Sequence, residues 1–99
     1  MKYQVVIASS AQKDFRRLDA RWRSAVKSAM RKHLEVAPKR QSKSRIKRLR
    51  QTRRPQYRLR VDRVRVFYDV NDEHRRVEIL GIVMKPQAAE WLEQHGVPE

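Results

Sequence analysis

Between Tyr57 and Val70 the chain reads YRLRVDRVRVFYDV, and the alternation in this stretch leaves little freedom in what it can become. Tyr57, Leu59 and Val61 alternate with Arg58, Arg60 and Asp62. After a short turn Val64, Val66, Tyr68 and Val70 alternate with Arg65, Phe67 and Asp69. A period of two is that of a half-buried strand. A two-residue turn at Asp62 and Arg63 closes the two runs into a β-hairpin, pairing Val61 with Val64, Arg60 with Arg65, Leu59 with Val66 and Arg58 with Phe67. One face is then apolar and the other carries Arg58, Arg60 and Arg65. Like charges directly opposite each other destabilise an antiparallel pair by a few tenths to about 1 kcal/mol. Arg60 facing Arg65 therefore needs a reason: either both side chains reach into water, or a polyanion lies across the sheet.

The charge balance favours the polyanion. Against 11 Asp and Glu stand 25 Lys and Arg, a formal net charge of +14 over 99 residues. A field of that size draws polyanions and makes their binding strongly salt-dependent, so nucleic acid or an acidic protein is the expected partner. The length suits one small domain, residues 1–99. With no cysteine in the chain, disulfides and thiolate metal sites are excluded. Met1 leads straight into a strand, and no apolar run approaches the ~20 residues of a membrane span. The expectation is a soluble cytoplasmic protein with no membrane partner.

In chain order, Tyr3, Val5 and Ile7 place a first strand at Lys2 to Ala8. Ser9 or Ser10 is the expected cap of a helix whose apolar positions Phe15, Leu18, Trp22, Val26, Met30 and Leu34 follow helical spacing. Unbroken from Ala11 to Val36, that helix would be about 39 Å long, against a radius of gyration of about 13 Å for a compact chain of this size. A break near Asp19, an expected second N-cap, folds it into a helical hairpin on the sheet. Pro38 ends the second helix.

Between Glu35 and Asp62 there is no acid and there are eleven Lys and Arg. This run feeds directly into the arginine-bearing strand, and the continuity reads as an electrostatic track for a phosphate backbone. Lys43, Arg45, Lys47, Arg48, Arg50, Arg53 and Arg54 are the RNA-binding candidates, with Ile46 and Leu49 pinning a short segment to the core. Phe67, beside Arg58, is a candidate to stack a base, with packing under a helix as the alternative.

Beyond the hairpin, Asn71 to His74 is a polar turn, and Val77 and Ile79 begin a strand running to about Met84. A four-residue loop sets Arg76 opposite Asp69 and Glu78 beside Phe67. Gly81 marks a bulge or a close backbone approach. Pro86 opens a last helix, Gln87 to His95, with Gly96 as its stop. The order β, α, α, β, β, β, α gives an α+β domain with a mainly antiparallel sheet of about four strands.

These features together resemble the RelE/ParE superfamily, the toxins of type II toxin–antitoxin pairs. The resemblance covers nearly the whole chain, through the helical hairpin with its Pro38 stop, IKRLRQTRRPQYRLRV, VRVFYDV, VEILGIVMK and the short terminal helix. The spacing of YRLRV and RVFYDV is its most specific part. The RelE branch is similar to a ribosome-dependent endoribonuclease (an mRNA interferase) that cuts mRNA in the decoding site without a metal or other cofactor, inhibiting translation. The ribose 2′-hydroxyl attacks the adjacent phosphate. Such a site needs a base for the 2′-hydroxyl, cations for the phosphoryl oxygens and an acid for the leaving 5′-oxygen. By position, the resemblance implies catalytic roles for Arg58, Arg60, Arg65 and Lys85, and a base-stacking role for Trp91.

Two positions depart from the RelE pattern. Lys85 stands for an arginine and loses the bidentate fork. Trp91 stands for a tyrosine and has no phenolic proton. Arginine stays protonated in proteins, so Arg58 and Arg60 serve as stabilisers of the phosphorane and the general base is unassigned. Of the histidines, His33 reads as a core or boundary residue and His74 as solvated, while His95 is retained as a candidate acid or base. The ParE branch, which inhibits DNA gyrase by binding without nuclease chemistry, is the alternative. The resemblance further implies a cognate acidic antitoxin, with ribosome and mRNA as targets and operator DNA reached only through the antitoxin.

Overall fold

The computed structural model describes residues 2–99; Met1, the first residue of the expected domain, lies outside them. The chain runs β1 (Gln4–Ile7), α1 (Ser9–Arg17), α2 (Ala20–Ala29) widening into a π turn at Met30–Leu34, β2 (Ile46–Arg48), β3 (Thr52–Arg54), β4 (Tyr57–Val61), β5 (Val64–Asn71), β6 (Arg76–Met84), a single 3-10 turn at Lys85–Gln87, α3 (Ala88–His95) and β7 (Val97–Pro98). Five strands form one sheet in the order β1-β6-β5-β4-β2, and β3 and β7 pair separately. β1 lies parallel to β6, whereas every other neighbour is antiparallel. The architecture is α+β as expected, with one strand more in the main sheet and a small second ladder. The extra strands are three residues or fewer, too short to show an alternation of their own.

The register expected for the β4–β5 hairpin is the register found, from Tyr57 opposite Tyr68 to Val61 opposite Val64. Asp62 takes φ 54, the left-handed conformation that tight hairpin turns demand and that Asp tolerates. The β5–β6 register differs from expectation. Asn71 faces Arg76, Asp69 faces Glu78, and the connecting turn is Asp72–Arg75, one residue later than the composition suggested. Leu80 is the bulge, because Tyr68 pairs with Ile79 while Phe67 pairs with Gly81.

The helical hairpin breaks where expected, with Leu18 and Asp19 both extended (ψ 147 and 154). Ser9 and Ser10 lie inside α1, whose N-cap is Ala8; Asp19 is the N-cap of α2 as expected, but its side chain makes no capping bond among the described residues. The turn is held instead by the Arg23 guanidinium, which donates to the Leu18 carbonyl.

Ala11, Leu18, Val26, Met30 and Leu34 from the hairpin pack on Leu59, Val61, Val64, Val66, Tyr68, Val77, Ile79 and Ile82. Each fully buried aliphatic side chain among them contributes on the order of 1.5–3 kcal/mol. The Tyr68 hydroxyl donates to the Pro38 carbonyl at 2.6 Å and anchors the end of the hairpin to the sheet. Burial pushes that phenol far above its ordinary range. Among the described residues no helix is long and apolar enough to cross a membrane.

Candidate nucleic-acid interface

Because Leu59, Val61, Val64 and Val66 turn toward the helices, their alternates emerge on the other face of the sheet. Lys47 of β2 pairs with Arg58, and Arg58 with Phe67; one row along, Arg60 pairs with Arg65. Four cations thus occupy adjacent positions on three strands. Arg65 is only 6% exposed, and its Nη1 donates to the carbonyls of Asp62 (2.7 Å) and Val64 (3.1 Å). These bonds hold the guanidinium in place without neutralising it.

Burial lowers the pKa of Arg65, and Arg58 and Arg60 lower it further, with Asp62 opposing. Burial and then Arg60 also lower that of Arg58, whose Nε is buried with no hydrogen-bond partner. Both arginines remain charged at any physiological pH. The shifts mean that the fold carries a concentration of positive charge at this end of the sheet that Asp62 relieves only in part.

The Lys85 backbone N–H donates to the Arg63 carbonyl at 2.7 Å, which brings the end of β6 against the hairpin turn. A cleft of about 430 Å³ results, lined by Arg60, Asp62, Arg63, Arg65, Met84, Lys85 and Pro86. Three of the four residues with implied catalytic roles, Arg60, Arg65 and Lys85, meet there, and Arg58 lies one row behind. Sequence reasoning missed Asp62, the one carboxylate lining the cleft, and Arg63. By sequence both belong to the hairpin turn, and only the approach of Lys85 makes that turn a wall.

The opposite end of the same face is covered. Phe67 is fully buried, its ring stacked on Trp91 with centroids 4.8 Å apart and planes 4° from parallel. A Cβ on Gly81 would overlap the Trp91 ring, so the close approach expected at that glycine is the indole itself. The base-stacking role expected for Phe67 is therefore corrected to packing under a helix, the alternative reading. Trp91 lies outside the cationic cleft, in a separate depression of about 520 Å³ that also takes in Asp14, Arg17, Arg54 and His95. His95 tilts against Trp91 at 5.1 Å and so is parted from the cleft as well.

Two of the expected RNA-binding arginines are committed to the fold. Arg54 forms ion pairs with Asp69 (3.0 Å) and Glu78 (2.8 Å), the two carboxylates that face each other across β5 and β6. Arg48 donates to the carbonyls of Leu49 (2.9 Å) and Gln56 (2.8 Å) and so folds its own loop. Lys43, Arg45, Lys47, Arg50 and Arg53 are exposed, and among the described residues none of them forms an ion pair. His33 is half-buried, its pKa lowered by burial and by Arg45 and Lys32, and His74 sits exposed in its turn. Among the described residues no group of three His, Asp or Glu could hold a metal ion.

With this geometry the sequence match is informative. Residues 5–85 match the family of ParE toxins of type II toxin–antitoxin systems, parDE. The chain belongs to that family, within the RelE/ParE superfamily, and is a toxin of the type II toxin–antitoxin kind. No curated protein matches it. Among solved structures it is similar to the toxin–antitoxin complex RelBE2 from Mycobacterium tuberculosis, with a TM-score of 0.71, 27% identity, and coverage of 85% of this chain and 99% of that one. The archaeal RelE–RelB complex from Pyrococcus horikoshii gives a TM-score of 0.69 at 27% identity, covering 86% and 97%. The isolated E. coli RelE toxin shares the fold with a TM-score of 0.64 at 18% identity, covering 93% and 97%.

Proposed function

We propose that this toxin is a ribosome-dependent endoribonuclease that cleaves mRNA in the decoding site. The observation that carries the reading is Arg65, a buried guanidinium fixed by two carbonyls beside Arg58 and Arg60 and, among the described residues, in no ion pair with a carboxylate. Leaving buried charge uncompensated is costly, and an RNA phosphate entering the cleft removes the cost. In the cleavage step the ribose 2′-oxygen attacks the adjacent phosphorus and the bond to the 5′-oxygen breaks. The products are a 2′,3′-cyclic phosphate and, once the leaving oxygen has taken a proton from water, a 5′-hydroxyl. Arg60, Arg65 and Lys85 take up the charge that develops on the phosphoryl oxygens, and Arg58 sustains the field from the next row. Asp62 is the one carboxylate that lines the cleft among the described residues, which makes it the candidate to take the 2′-hydroxyl proton.

A second reading, inhibition of DNA gyrase by binding alone, is favoured by the placement of Trp91. The residue at the expected stacking position spends one ring face on Phe67 and lies outside the cleft. Translation of a defined mRNA in a purified bacterial system, with new 5′ ends mapped by primer extension, separates the readings. Ribosome-dependent ends at codon positions support the nuclease. No ends from folded protein, together with inhibition of gyrase supercoiling, supports the second reading.

The partner follows from the same charge. The two 27%-identical neighbours were solved as complexes with their antitoxins, and a surface of +14 suits an acidic antitoxin segment that folds on binding. Operator DNA would be reached through that antitoxin.

A further inference from the structure

The end of the helical hairpin and the loop that follows it enclose a pocket of about 350 Å³. It is lined by the polar side chains of Lys32, Arg40, Arg45 and Ser42 and the apolar ones of Val36 and Ile46, and among the described residues no carboxylate lines it. Val36 is 60% exposed, the most exposed large apolar side chain among the described residues. His33 stands in the wall, its pKa lowered by burial, Arg45 and Lys32 together. The Ser42 hydroxyl oxygen accepts the Arg45 N–H at 3.1 Å, so its own hydrogen is left to donate.

We infer that this pocket is a second phosphate subsite, holding a nucleotide of the RNA strand that runs on from the cleft, with the phosphate on Lys32, Arg40, Arg45 and Ser42 and the base against Val36. The inference rests on the reading of RNA as the substrate. Two observations select RNA over an acidic peptide. First, the pocket adjoins the cationic row at the sheet edge: the Arg60 N–H donates to the Arg45 carbonyl at 2.8 Å, so Arg45, which lines the pocket, is the backbone neighbour of a cleft residue across the strands. Second, an extended peptide docks best by adding a strand to an open sheet edge, and the β2 edge here is closed. Ser42 N–H donates to the Ile46 carbonyl at 3.0 Å, and Gln41 Oε1 accepts the Arg48 N–H at 3.0 Å. What remains at the pocket is side-chain cations and hydroxyls, the donors that phosphate takes. The volume falls within the ~300–1,000 Å³ of small-ligand sites.

The test is an NMR titration of the whole protein with a short 2′-O-methyl oligoribonucleotide, which binds but cannot be cut because its 2′-oxygen is blocked. The His33 ring resonances report the pocket. The expected result is a saturable shift of those resonances, with affinity reduced about tenfold in the Lys32→Ala/Arg40→Ala variant, whose amide dispersion confirms its fold. Resonances of His33 that stay fixed while the oligonucleotide saturates the cleft, or unchanged affinity in the variant, overturn the subsite. A shift produced by polyglutamate and not by the oligonucleotide overturns it in favour of a protein ligand. Ribosome-dependent cleavage of unmodified mRNA, measured on the same samples, tells failure of the nuclease reading apart from failure of the subsite.

Discussion

The two ends of one sheet face carry the same residue type to opposite purposes. At one end Arg54 lies between Asp69 and Glu78, while Trp91 stacks over Phe67. At the other, Arg60, Arg65 and Lys85 share a cleft in which Asp62 is the one carboxylate among the described residues, and Arg58, the cross-strand partner of Phe67, lies between the two ends. Arg54 relieves a repulsion that the register creates by setting two acids opposite each other. Arg58, Arg60 and Arg65 create a repulsion that Asp62 relieves only in part. An arginine is thus structural or available according to its neighbours on the adjoining strands, and the less relieved end is where a ligand gains most by arriving.

The covered end is the one to break first. Phe67→Ala removes a fully buried ring and the platform for Trp91, and is expected to cost about 3–5 kcal/mol of stability by urea denaturation. Cleavage per folded molecule should persist, since the ring offers no face to RNA; selective loss of cleavage with intact stability would restore Phe67 as a stacking residue.

Next in size is Arg65→Ala at the open end. Losing one preorganised charge donor should lower ribosome-dependent cleavage about 10²–10³-fold. Stability should change little, because the loss of two hydrogen bonds to carbonyls is offset by removal of a buried like charge. A large fall in melting temperature with unchanged specific activity would reassign Arg65 to the fold.

Arg54→Ala is expected to be milder, about 1 kcal/mol, because its ion pairs are partly solvated. Cleavage by folded protein should be unaffected, and a fall matching that of Arg65→Ala would erase the distinction between the two ends.

The smallest effect is a pH dependence. Burial raises the Asp69 carboxyl above its ordinary value of 3.8, outweighing the Gln56 N–H and Arg54 that lower it. A carboxylate with a raised folded pKa binds more protons folded than unfolded, so its contribution to stability falls as the pH climbs from about 4 toward neutrality. In Asp69→Asn the stability curve should be flatter over that range. A curve as steep as the parent's would place the titration elsewhere.

How much of this could be read in advance follows from the range of each signal. Alternation over Tyr57–Val70 is local, and it specified the hairpin register, the apolar face and the arginine face. Helical spacing and the length limit place the break near Asp19, which is the N-cap of the second helix, although the bond that holds the turn runs from Arg23 to a carbonyl, for which the sequence has no signature. The β5–β6 register is not legible from the turn, since Asp72–Arg75 and Asn71–His74 are equally polar. Arg54 and Arg48 looked like their neighbours in a basic run until their acceptors came into view.

What the sequence determined by itself was therefore the periodic part: an α+β domain, an amphipathic helical hairpin, a strand pair with one cationic face, and the family to which it belongs. Tertiary structure decided which cations are free. Arg54 meets Glu78 across 24 residues, Phe67 meets Trp91 across the same span, and Lys85 closes the cleft by reaching back to Arg63. A repeat of two or 3.6 residues writes itself into any short window, because backbone geometry imposes it. Neutralisation of a charge depends on partners that only the folded chain brings within reach.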